Sequence, residues 1–271
     1  MSAEDSDREE RAGTTSSREC MNTLDHTLGA RSRGTLRGLP GVAALLAVAV
    51  LPGAARAQSS HDRPDPVPAE AAAISRIAEA VLGSPTDIYL APVRSPSGGI
   101  LPRWRTGSDG GRRTITIHFE TPENPAEHGS GYRWAVNQAI ETWTAIAGVS
   151  LRFRQAAGPG TAQVSVKWVT TLSPGYSGVT KWQTDSNGWI SSAVLTLALL
   201  GGDGRPVDRE LARRVALHEV GHLLGLPHSA NAGDILFPSS KVMRLSGRDR
   251  ATARVLYAVD PWVLLNVGSD R

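Results

Sequence analysis

Apolar and polar positions change period several times along the chain, and each change marks an element. From residue 114 to 120 they alternate, with Ile115, Ile117 and Phe119 on one face and Thr116, His118 and Glu120 on the other. That two-residue period predicts a half-buried strand. Over 132–147 the period lengthens, so that Val136, Ala139, Ile140, Trp143 and Ala147 share one helical stripe and Gly148 ends it. Further strands are predicted at 150–155, 163–169 and 178–183, and the apolar run 193–199 reads as a buried strand before a glycine-rich turn at 201–204. Residues 208–225 form the strongest predicted helix. Asp208 stands as its N-cap and Glu210 suits its first turn. Leu211, Ala212, Val215, Ala216, Leu217, Val220, Leu223 and Leu224 occupy nearly its whole circumference, so it is expected to be buried. The Ser246–Asp249 capping box opens a last helix, through Ala258.

The first hundred residues follow a different pattern. Arg31, Arg33 and Arg37 precede an apolar run from 41 to 51, followed by Pro52 and Ala55-Arg56-Ala57. This is the layout of a secretory signal peptide, with Gln58 as the expected first residue of the exported chain. The apolar run reaches only about 16 Å as a helix at ~1.5 Å per residue, against a hydrocarbon core of ~30 Å, so no stable membrane anchor is expected. Met21 is an alternative start. Residues 61–68 carry three prolines and read as a linker that should not pack, 69–82 as an amphipathic helix closed by Gly83, and 84–113 as a connecting or pro-segment. The expected division is a leader at 1–57, a linker or pro-segment at 58–102 and a catalytic domain at 103–271.

Composition narrows the chemistry. The chain has 271 residues, 40% hydrophobic and 20% charged, within the range of ordinary globular chains. Its single cysteine, Cys20, excludes a disulfide framework and a cysteine-rich zinc module, so any metal site must use histidines and carboxylates. The net charge of +3 comes from basic residues spread along the chain, and no nucleic-acid partner is expected.

Within the buried helix lies His218-Glu219-Val220-Gly221-His222. On a helix, positions 218 and 222 differ by about 40° in azimuth and about 6 Å along the axis, so both imidazoles can reach one ion. Gly225 can take the left-handed conformation that ends the helix, Pro227 prevents its continuation, and His228 returns toward the same point. Three neutral imidazoles suit Zn²⁺ with one position left open, the arrangement of a catalytic site. Such a metal activates a water, and Glu219, beside His218, is placed as general base for hydrolysis of a peptide bond.

The segment from His218 to His228 resembles the zinc-binding segment of the metzincins, and Ser229 directly after it resembles the matrixin branch of secreted bacterial type. Asp234-Ile235-Leu236-Phe237-Pro238 sits where matrixins carry a turn ending in Met-Tyr-Pro, with Leu236 in the place of the methionine as an apolar floor. The resemblance implies an α+β metzincin fold: a twisted, mostly parallel five-stranded sheet with one antiparallel edge strand, an active-site helix and a C-terminal helix. It implies one catalytic Zn²⁺ held by His218, His222 and His228, with Glu219 catalytic and Gly225, Ser229, Leu236 and Pro238 supporting. It also implies a protein or peptide substrate, added as an extra strand to the edge strand at 178–183, and a pocket for the residue after the scissile bond bounded by 238–245. A secreted monomer is expected.

Departures from the family pattern carry their own expectations. No histidine lies between His128 and His218, so a second, structural zinc is not expected. No cysteine follows Gln58, so a thiol cannot keep the enzyme latent. Phe237 leaves no tyrosine ligand, and calcium is allowed but not indicated. His118 and His128 read as surface residues and Trp143 as core. Trp168, Trp182 and Trp189 read as core, with groove lining as their alternative, and 185–188 as a turn. The competing functional reading is a secreted zinc-binding adhesion or binding module with vestigial activity.

Overall fold

The structure is a computed structural model that describes residues 58–59, 66–95, 98–107, 111–122, 125–173, 175–265 and 267. The predicted leader, 1–57, and most of the proline-rich stretch lie outside the described residues. The strands are β1 (Gln58–Ser59), β2 (Val93–Ser95), β3 (Gly98–Ile100), β4 (Arg103–Trp104), β5 (Arg113–Phe119), β6 (Leu151–Gln155), β7 (Val164–Val169), β8 (Gly178–Thr184) and β9 (Trp189–Ala198). The helices are α1 (Pro68–Leu82), α2 (Pro125–Thr144), α3 (Arg209–Leu223) and α4 (Gly247–Ala258).

The main sheet runs β1-β8-β9-β7-β5-β6. β5, β6, β7 and β9 are parallel, and β8 runs antiparallel to β9. The expected mixed, mostly parallel sheet is therefore present, and two short strands enlarge it to seven. β4 pairs in parallel with the start of β9, and β1 pairs antiparallel with β8 through Gln58 opposite Trp182 and Ser59 opposite Lys181. This corrects the expectation that 178–183 is an edge strand along its whole length. A strand edge offers backbone N–H and C=O groups to any extended segment, whatever its side chains, so such a pairing leaves no hydrophobic pattern in the sequence.

The alternation read from the sequence sets the inward face. Ile115, Ile117, Phe119, Val164, Val166, Ala193, Leu195 and Leu197 are buried, with Trp143, Val220, Leu223 and Leu224 in the same core. α2 and α3 pack against each other, and α3 against β8 and β9. β9 begins at Trp189 rather than 193, because Trp189 and Ile190 are buried while the serines after them interrupt the apolar run.

The helix expected at 69–82 is α1, and the described part of the stretch assigned to a linker or pro-segment, 66–95 and 98–102, is folded onto this core. α1 packs on α4, burying Ala73, Ile74 and Ala78, and Leu90, Val93 and Leu101 join the same cluster. Glu70, 3% exposed, accepts an ion-paired hydrogen bond from Arg94 at 2.6 Å. Leu101 N–H donates to the Pro261 carbonyl at 2.7 Å. Leu101 is fully enclosed, so Leu101→Ala should lower stability by about 2–5 kcal/mol in chemical denaturation. A loss below about 1 kcal/mol would contradict the view that this segment belongs to the core.

Candidate metal centre

The site begins with the end of α3. Its Asp208 N-cap accepts from the Leu211 N–H at 2.7 Å. At the other end, the last carbonyls of a buried helix need donors that water cannot supply. Trp104 Nε1 donates to the Leu223 carbonyl at 2.8 Å, and Tyr257 Oη to the Leu224 carbonyl at 2.9 Å. Gly225 then turns the chain with φ 99°, and a Cβ there would lie 2.1 Å from the Pro102 carbonyl oxygen. Glycine is therefore required on two grounds, conformation and space.

This turn brings His228 back over the helix. His218 Nε2 lies 3.0 Å from His222 Nε2 and 3.3 Å from His228 Nε2. One ligand atom from each of the three lies within 4.8 Å of the others. His218 Nδ1 is 2.7 Å from the Ile235 carbonyl and His222 Nδ1 2.8 Å from the Leu226 carbonyl. A carbonyl can only accept, so each Nδ1 carries the proton and each Nε2 presents a lone pair. Lone pairs converging at this range repel one another unless a cation lies among them. Four-coordinate zinc with Zn–N of ~2.0–2.1 Å sets its nitrogens about 3.3 Å apart, so the donor set fits that ion. The expected ligands are thus brought together.

The expected supporting residues lie beneath and beside the triad. The Ser229 N–H donates to the Leu236 carbonyl at 2.9 Å, and its hydroxyl donates to Asp234. Asp234 also accepts from Ser246 Oγ at 2.7 Å, while Asp249 accepts from the Ile235 N–H at 3.0 Å and from the Tyr89 hydroxyl. The Ile235 carbonyl that orients His218 is thereby fixed by α4 and by the N-terminal segment. Leu236 is fully buried and packs on Gly221, where a Cβ would meet Leu236 Cδ2 at 2.6 Å and Trp143 at 2.8 Å. Pro238 is exposed and lines the cavity.

That cavity, about 670 Å³, is lined by His218, Glu219, His228, Gly178, Val215 and Pro238 among others. Its wall at 238–241 covers part of the predicted pocket boundary. None of Trp168, Trp182 and Trp189 lines it. Trp182 and Trp189 are buried, and Trp168 Nε1 donates to the Glu120 carbonyl. Asp185 accepts from the N–H groups of Asn187 and Trp189, as a turn does.

Glu219 is 2% exposed, and burial pushes its carboxyl up to about 8, with a hydrogen bond from Thr180 opposing the rise. Thr180, fully buried on β8, donates to Glu219 Oε2 at 2.7 Å. The sequence reading did not single out Thr180. Alternation from Gly178 and Trp182 places it on the inward face, and a polar residue there needs a partner.

The matrixin family model matches residues 173–258 of this chain, the stretch that holds the three histidines and Glu219. A curated relative, Metalloendoproteinase 1 of Glycine max, is 25% identical over 183 residues, covering 59% of this chain and 54% of that protein. The chain thus spans about half the length of the relative it matches.

A raised carboxyl pKa has a definite effect on stability. The unfolded chain releases the Glu219 proton near its ordinary value of 4.5, while the folded metal-free protein holds it to about 8. Across that window the unfolded state binds fewer protons, so stability falls as pH rises. In metal-free protein, Glu219→Gln should flatten this part of the melting-temperature profile between about pH 4.5 and 8. An unchanged slope would contradict the burial of a carboxyl that has no countercharge.

Proposed function

We propose that this chain is a secreted zinc endopeptidase, acting as a monomer on protein or peptide substrates. The observation that carries the reading is the convergence of His218, His222 and His228 beside a cavity that His218, Glu219 and His228 line, with two imidazoles held in the tautomer that presents Nε2. The family match and the relative's name agree with it. Export rests on the layout of residues 31–57, and among the described residues no helix is long and apolar enough to cross a membrane.

In this reading His218, His222 and His228 hold the ion. Zinc would supply Lewis-acid polarisation of the scissile carbonyl and a lowered water pKa. The protein's own part is positional and protonic. Glu219 takes a proton from the water whose oxygen adds to the carbonyl carbon, and returns it to the amine nitrogen as the C–N bond breaks. The cavity wall at 238–241 receives the side chain that follows the scissile bond, and β8 offers main-chain groups to an extended peptide. Strand addition on Lys181 and Trp182 requires Gln58–Ser59 to yield that position. A binding module gains nothing from a general base at the cavity, whereas hydrolysis requires one.

The test is Glu219→Gln in full-length, zinc-loaded protein. Cleavage of casein should fall by about 10²–10⁴ with zinc content unchanged. A variant that cleaves at the wild-type rate would overturn the mechanism.

A further inference from the structure

We propose that Thr180 is a positioning residue for Glu219, holding one carboxylate oxygen against β8 so that the other is aimed at the reacting water. The inference rests on the peptidase reading above and adds to it the element that fixes the base.

Residues 178, 180 and 182 of β8 face inward toward α3, and each has a distinct task. Trp182 fills the core. Gly178 leaves room: a Cβ there would lie 2.5 Å from Glu219 Cγ and 2.8 Å from Oε1, so any side chain at 178 would displace the glutamate. Thr180 supplies the polar anchor. Its hydroxyl reaches Glu219 Oε2 at 2.7 Å and the Glu219 carbonyl at 3.0 Å, and a hydroxyl proton serves one acceptor at a time. The shorter contact, to the carboxylate, is the charge-assisted one.

Packing alone does not account for a threonine at this position. A fully buried site favours valine, which has the same shape without a hydroxyl to desolvate. The hydroxyl matters because Glu219 has a long, flexible side chain that must reach the reacting atoms within a few tenths of an ångström. Anchoring one oxygen on a strand restricts its rotamers, and Gly178 bounds it from the other side. The strand that offers main-chain groups to a substrate thus also sets the base, which couples peptide docking to the position of Oε1.

The experiment compares Thr180→Val and Thr180→Ser as full-length, zinc-loaded proteins on a quenched-fluorescent peptide built from a cleaved casein site. Thr180→Val should lower kcat by about 10- to 100-fold, the worth of a hydrogen bond to a charged group, with KM within about twofold. Zinc content and melting temperature should stay near wild type. Thr180→Ser, which keeps the hydroxyl, should restore kcat to within about threefold of wild type. Full kcat in Thr180→Val, or equal loss in both variants, would overturn the assignment while leaving the peptidase reading intact. If Thr180→Val does not fold, Thr180→Ala repeats the comparison without branched bulk, under the same criteria. A wild-type protein that cleaves no peptide would overturn the peptidase reading and this assignment with it.

Discussion

The carbonyls of Ile235 and Leu226 decide what this site can bind. By accepting from the Nδ1 protons of His218 and His222 they force Nε2 lone pairs to converge, and much of the structure keeps those two carbonyls in place. Leu226 follows the Gly225 turn, which exists because the carbonyls at the end of α3 are satisfied by Trp104 and Tyr257. Ile235 sits in a turn whose backbone is tied to Asp249 and whose Asp234 takes the hydroxyls of Ser229 and Ser246. Partners of this kind fix ring orientation and raise the basicity of the donor nitrogen.

The same constraint explains the cost accepted at Glu219. A buried carboxylate without a countercharge is unfavourable, and in metal-free protein the group is driven toward its protonated form. A divalent ion among the histidines reverses that preference, because the nearby positive charge favours the carboxylate. The histidines and the glutamate are therefore electrostatically complementary only when the ion is bound. Thr180 stands on the side of the charged form, since its hydroxyl donates to Oε2.

Much of this was legible in the sequence because it is written locally. The alternation at 114–120, the buried periodicity of α3, its Asp208 cap and the spacing of His218, His222 and His228 all follow from short-range pattern. What escaped depends on contacts distant in sequence. Tyr89, Leu90 and Leu101 sit in a Pro-, Gly- and Ser-rich stretch, and only the tertiary structure shows that Leu90 and Leu101 are buried in the core and that Tyr89 packs against it and reaches Asp249 of α4. Gln58–Ser59 joins β8 by backbone pairing alone. Gly221 shows its reason only when Leu236 and Trp143 are seen to occupy the space a side chain would need. Leu236 is fully buried and fills the space against Gly221.

X-ray absorption at the zinc edge of the full-length protein, loaded with one equivalent of zinc, tests the central claim most directly. The account predicts three imidazole nitrogens at about 2.0–2.1 Å and one oxygen neighbour, with the imidazole signal lost in His228→Ala in proportion to one ligand. An all-oxygen shell, a fourth protein nitrogen closing the site, or no retained zinc would contradict it.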